Sequence, residues 1–170
     1  MTRATTTSTT LATLAVPGGT FMLRRARRDD LPALVALIAA DALRANDDST
    51  NADDLVHYEA AFEAIDRDPA HTLVVAETAG GEVVGTMQLT LIPGLARRGA
   101  ARLQVEAVRV AESTRGGGLG GAMMQWAIDD ARASGAALVQ LTSDARRDDA
   151  HRFYERLGFT GSHVGFKLFL

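Results

Sequence analysis

The chain has 170 residues, enough for one domain with a sizeable core, and its 46% hydrophobic and 23% charged residues are ordinary for a soluble globular protein. A net charge of −3 gives no basic excess for holding a polyanion, so nucleic acid is not an expected partner. There is no cysteine, which excludes disulfides, thiolate chemistry and cysteine-ligated zinc, and the four histidines lack metal-ligand spacing, so no metal is expected.

The opening "MTRATTTSTTLATLAVPGGT" lacks the apolar core of a secretory signal and the arginines of a transit peptide. Residues 1–20 therefore read as a flexible, dispensable tail before a single domain at 21–170, with the cytoplasm as default location. A strand is expected over "FMLRRA" (21–26). A helix follows, capped by Asp29 or Asp30, with Pro32 in its first turn and Leu31, Leu34, Val35, Ile38 and Ala42 at helical spacing. "RANDDSTNADD" reads as a loop. Leu55, Tyr58, Phe62 and Ile65 then mark a second amphipathic helix stopped by Pro69.

"HTLVVAET" and "VVGTMQLTLI" form a hairpin across "AGGE", and "PGLARRGA" leads to a strand at "ARLQVEAVRV". The glycine-rich stretch opens a third helix with a stripe of Leu119, Ala122, Met123, Trp126 and Ala127. Gly135 ends it, and "AALVQLTS" reads as a buried strand. A fourth helix covers 146–157, Gly158 ends it, and "FTGSHVGFKLFL" closes the chain as paired strands. The order is that of an α/β (α+β) fold, a mixed sheet with helices on its faces. The longest apolar stretches, such as "LVALIAA", are far too short for a membrane span, so no membrane partner is expected.

Glycine is costly to order, yet five of the six residues from Gly116 to Gly121 are glycine. A helix N-terminus offers unpaired N–H groups and partial positive charge, and glycines remove the Cβ atoms that would hold a pyrophosphate away. Arg115 adds a fixed charge beside them. A P-loop would need Lys after Gly120, where Gly121 stands. The dinucleotide fingerprint G-x-G-x-x-G is matched by Gly116, Gly118 and Gly121, with Asp144 downstream. However, "AESTR" lengthens the turn, and under 50 residues remain for a second half. A third pattern, Arg/Gln-x-x-Gly-x-Gly/Ala, is met by Arg115, Gly118 and Gly120. It is met again by Arg132, Gly135 and Ala137, so only the first copy's place between strand and helix distinguishes it.

In that context "VRVAESTRGGGLGGAMMQWAIDDAR" resembles the coenzyme-binding strand, loop and helix of the GNAT superfamily of acyl-CoA-dependent N-acetyltransferases. "DAHRFYERLGF" resembles the family's later Ala-x-x-Phe-Tyr-x-x-x-Gly-Phe motif at Ala150, Phe153, Tyr154, Gly158 and Phe159, and "LRRARRDDLPALVALI" is similar to its first strand and helix. The resemblance implies a mostly antiparallel central sheet and acetyl-CoA as co-substrate. Backbone groups of Val108, Arg109 and Val110 would pair with the pantetheine arm. Those of Arg115, Gly116, Gly117, Gly118, Leu119, Gly120 and Gly121 would hold the pyrophosphate, and Tyr154 would sit beside the sulfur. Arg147 stands where the family often has asparagine; it could reach a phosphate or lie in solvent.

Acetyl transfer to an amine of pKa near ~10.4 needs a base for the amine and a proton for the leaving thiolate. Strand alternation puts Glu106 on the face of Val108 and Val110, and Glu106 is the candidate base; it could instead be an edge partner for Arg102 or Arg109. Tyr154 is the candidate acid, with a core aromatic as its other reading. The five aspartates of "DALRANDDSTNADD" read as a solvated loop, or as a lure for a cationic amine. The expected acceptor is a small-molecule or peptide amine, and a homodimer stays open. So do two other functions: a catalytically silent acyl-CoA sensor and a dinucleotide-binding domain.

Overall fold

The computed structural model describes residues 10–41 and 47–170. A single six-stranded sheet carries the fold, in the spatial order β1 (Thr10–Val16), β2 (Gly19–Arg25), β3 (His71–Thr78), β4 (Val83–Ile92), β5 (Arg102–Val110) and β6 (Leu138–Leu141). Every neighbouring pair is antiparallel except β5 and β6, which are parallel. Helices α1 (Leu31–Ala39) and α2 (Leu55–Arg67) lie on one face. Helix α3 (Leu119–Ala133) packs on the other, and α4 (Asp148–Arg156) follows β6. The antiparallel pairing of β2 to β5 also removes the dinucleotide-binding reading, which requires a mostly parallel sheet.

Pleating divides the sheet residues between two cores. Phe21, Leu23, Val74, Met87, Leu89, Leu103 and Val105 meet Leu119, Met123, Met124, Ala127 and Ala131 of α3. Leu23, Val74, Met87, Met123 and Met124 are fully or almost fully buried, each stabilising by about 1.5–3 kcal/mol. Val75, on the opposite face, packs with Leu31, Leu34 and Phe62 of the first two helices. The expected stripe of α1 is seen at Leu31, Leu34 and Val35, while Ala42 lies outside the described residues.

Asp30 begins α1, but its carboxylate does not cap the following turn. It accepts from the Arg27 backbone N–H at 2.7 Å and from the Arg24 guanidinium at 2.6 and 2.9 Å. Arg24 is almost fully buried and also donates to Glu77 at 2.7 Å. Burial alone would push the Asp30 carboxyl up, but the hydrogen bonds from Arg24 and Arg27 hold it below the usual carboxylate range.

Both chain ends correct the sequence reading. The second half of the expected N-terminal tail is strand β1, returned onto β2 by the two-residue turn Pro17–Gly18. Leu11, Leu14 and Val16 pack against the α3 core, so this segment is structural; residues 1–9 lie outside the described residues. Conversely, "FTGSHVGFKLFL" forms no strand among the described residues, and its large apolar side chains from Val164 onward are exposed. Strand β6 is also shorter than expected and only half-buried, being paired on one side alone.

Candidate active site

The site follows from how β5 ends. Its ladder with β6 runs only from Arg102↔Leu138 to Val105↔Leu141, so from Glu106 onward β5 keeps β4 as a neighbour and leaves β6 behind. At that departure Ala107 has φ 50°, a left-handed conformation that costs a non-glycine residue about 1–2 kcal/mol. The ladder slips there: Gln88 pairs with Glu106 and Thr86 with Arg109, leaving Ala107 and Val108 opposite one residue of β4.

This bulge overturns the simple alternation. Glu106 shares a face with Arg109, through their partners Gln88 and Thr86, and that is the face covered by α1 and α2. Val110 belongs with the α3 core instead. Glu106 is exposed and does not line the cavity beside β5.

That cavity, of about 360 Å³, is lined by Leu37 of α1 and Ala40 and Asp41 just after it, by Val108, Arg109 and Val110 of β5, and by Arg115 and Arg147. Val108 and Val110 turn their carbonyls to guanidinium groups: Arg109 Nη1 donates to Val108 at 2.8 Å and Arg115 Nε to Val110 at 3.2 Å. Asp41 is the residue that sequence reasoning missed. Rather than a solvated loop carboxylate it is buried, accepts from Arg109 Nη2 at 2.8 Å, and also pairs with Arg147. Arg147 lies immediately before α4, so Asp41 ties three separate elements together across the cavity. Nothing in the local sequence marks a contact spanning 106 positions.

The glycine loop closes the other end. Gly118 precedes α3 with φ 90° and Gly116 has φ 77°, conformations that favour glycine. Gly117 has a different reason to be glycine: its carbonyl accepts from the Gly18 N–H at 2.9 Å, in the β1–β2 turn. A Cβ on Gly18 would lie 2.8 Å from the Gly117 Cα, and one on Gly117 2.9 Å from the Gly18 Cα. A Cβ on Gly118 would meet Val16 and Pro17 at 3.4 Å. Gly116 and Gly121 have no other heavy atom within 4 Å of such a Cβ, so open space lies beside the first turn of α3. That cradle, the unpaired N–H groups of the helix start and Arg115 fit an anionic diphosphate.

Tyr154, on α4, packs edge-on against Phe153 and Phe159, with ring centroids 5.1 and 5.9 Å apart. Phe153 in turn approaches Gly120, where a Cβ would come within 3.8 Å of its ring. Burial pushes the Tyr154 phenol above its ordinary value, and the charges of Arg109 and Arg147 offset this only in part. Tyr154 is thus a neutral phenol, protonated through the physiological range, near the two arginines of the cavity. Among the described residues no three His, Asp or Glu side chains converge as a metal site, and no helix is long and apolar enough to cross a membrane.

A family model described as the acetyltransferase (GNAT) family matches residues 34–159. The aminoalkylphosphonate N-acetyltransferase of Salmonella typhimurium (strain LT2) is 36% identical over 86 residues, which cover 51% of this chain and about half of that protein, 55%. Among solved structures, a transcriptional regulator from Bacillus halodurans C-125 is 38% identical with a TM-score of 0.84, covering 88% of this chain and 99% of that one. A Trypanosoma brucei acetyltransferase is 26% identical with a TM-score of 0.70, again covering 88% and 99%. The glycine loop, the bulged β5 and the Phe-Tyr helix all fall within the matched span, and the chain belongs to the acetyltransferase (GNAT) family.

Proposed function

We propose that the protein transfers an acetyl group from acetyl-CoA to a primary amine. The observation that carries this reading is the cavity along the bulged end of β5, beyond its last pair with β6 at Val105, with Arg115 at the start of the glycine loop on its wall. The backbone groups of Val108, Arg109 and Val110 would pair with the pantetheine amides, displacing the guanidinium contacts they now make. The groups of residues 115–121 would take the pyrophosphate. When bound, the coenzyme supplies an activated acyl group and a thiolate as leaving group.

The chain's own residues would handle the protons. Glu106 accepts the amine proton, directly or through water, from the sheet face that α1 and α2 cover. Its exposure favours the water-relayed route. Tyr154 holds its proton at neutral pH and can pass it to a thiolate of ordinary pKa about 8.5. Arg147 orients the cleft through Asp41.

The same cluster bears on the acceptor. Arg109 and Arg147 both bring guanidinium groups to the cleft wall beside Asp41. Guanidinium groups so placed suit an amine that also bears an acidic group, in keeping with the aminoalkylphosphonate named for the Salmonella relative. A screen of aminoalkylphosphonates, amino acids and polyamines with acetyl-CoA, followed by thiol release, tests this. The acidic amines should turn over fastest; activity confined to polyamines would refute the assignment of the arginines to the acceptor, and no activity with any amine would favour a silent acyl-CoA sensor.

A further inference from the structure

Strand register sets one polar residue from each of four neighbouring strands in a single row across the sheet. His71 of β3 faces Thr90 of β4, Thr90 faces Gln104 of β5, and Gln104 faces Gln140 of β6. One position along, on the opposite face, the pair Leu89 and Val105 is dry core. Positions packed under helices favour β-branched and aromatic residues. Helices α1 and α2 pack on the polar row's face at Val75 and Leu73, but the row itself is only half-buried.

The row is held in place by its own hydrogen bonds. The Thr90 hydroxyl and His71 Nδ1 share one of 2.9 Å, and Gln140 Nε2 donates to Gln104 Oε1 at 2.7 Å. The glutamine pair uses one end of each amide. Gln104 Nε2 has a long 3.5 Å contact with the Val105 carbonyl, and Gln140 Oε1 accepts from no group among the described residues. Turning both amides over exchanges these roles and still leaves one donor and one acceptor over. A neutral group that both accepts and donates, such as a carboxamide, matches that remainder.

The row also lies beside the candidate site. Gln104 stands two residues before Glu106 on the same face of β5, about 7 Å away along the strand, and Arg109 on that face lines the cavity. No carboxylate or guanidinium belongs to the row, so an uncharged group suits it.

We propose that Gln104 and Gln140 form a specificity subsite for the acceptor, taking a carboxamide about 7 Å from the amine that Glu106 receives. This deepens the acetyltransferase reading and rests on it. The acceptor points its acidic group at Arg109 and Arg147 and its neutral group at the glutamines.

A pair of amines of equal shape tests it: 5-aminopentanamide, and 5-methylhexylamine, in which two methyls replace the amide oxygen and nitrogen. With acetyl-CoA and the wild-type chain, kcat/KM should favour the amide by roughly 10-fold or more, since the apolar analogue leaves the glutamine groups unpaired. Gln104→Leu and Gln140→Leu should each bring that preference close to one. Both positions are half-buried, so the circular dichroism spectrum and calorimetric acetyl-CoA affinity should be retained. Equal transfer to the two amines by the wild-type chain overturns this proposal alone. A preference that survives both substitutions overturns it too, by placing the recognition elsewhere. No transfer to any amine removes the acetyltransferase reading, and this subsite with it.

Discussion

Strand β1 and the C-terminal segment are both short and rich in apolar residues at alternate positions, yet their surroundings differ completely. Thr10–Val16 is paired along β2, and its turn is hydrogen-bonded to the glycine loop at Gly117. Residues 163–170 leave their apolar face in solvent. The difference lies in what precedes and follows each. Pro17 and Gly18 turn the chain tightly enough to lay β1 on the next strand, so pairing is local and cheap to close. The C-terminal segment follows a helix ended by Gly158 at φ 90°, and no tight hairpin turn lays it on a neighbouring strand among the described residues. A strand pattern specifies a face, and a partner within reach decides whether it becomes a strand.

The strongest way to break this comparison is to remove each end in turn. Deleting residues 1–18 should strip the half-buried Leu11, Leu14 and Val16 from the α3 core, costing several kcal/mol and lowering Tm by about 10 °C or more. Deleting residues 163–170 should instead leave Tm nearly unchanged, because the large apolar side chains of that segment are exposed within the chain. Equal losses from the two deletions would contradict the contrast.

A second test concerns the charged lock between β2 and α1. Asp30→Asn should destabilise the protein by about 3 kcal/mol at neutral pH, because Arg24 stays buried with one anion fewer. The folded-state pKa of Asp30 is depressed, so its contribution is present above the unfolded value near ~3.9 and is lost as pH falls through the folded one. Urea unfolding of wild type and variant should therefore converge at low pH and differ at pH 7.

Gly18→Ala sharpens the link between β1 and the site. Its Cβ would stand 2.8 Å from the Gly117 Cα, so the turn and the glycine loop must separate, at about 1–3 kcal/mol. Calorimetry should show acetyl-CoA binding weakened by roughly 10-fold, with acetylpantetheine, which lacks the pyrophosphate, unaffected. Equal weakening of both ligands would show a general loss of structure. Tyr154→Phe should then lower kcat by roughly 10–1000-fold with the acceptor KM and Tm nearly unchanged, since the phenol acts in the transition state. A matched fall in Tm would make its hydroxyl a structural donor.

Most of the element order could be read from the sequence because periodicity records burial: the α1 and α3 stripes and the β3–β4 hairpin are all where spacing puts them. The glycine loop was legible through its position between strand and helix, although Gly117 serves the close approach of Gly18. Two features of the site were not legible. The bulge at Ala107 leaves no glycine to mark it, so alternation placed Glu106 on the wrong face. Asp41 sat among other aspartates, and its role depends on two arginines brought from distant strands and helices.

The central claim is that the cavity along the end of β5, with the neighbouring glycine loop, is where the protein would hold an acyl-CoA. Titration calorimetry of the wild-type chain with acetyl-CoA, and separately with NAD, tests it without knowledge of the acceptor. Acetyl-CoA should bind one equivalent per chain, with the affinity falling when Gly121 is replaced by Asp beside the open diphosphate cradle. NAD should not bind. Binding of NAD alone, or acetyl-CoA affinity indifferent to Gly121→Asp, would contradict the assignment of this cleft.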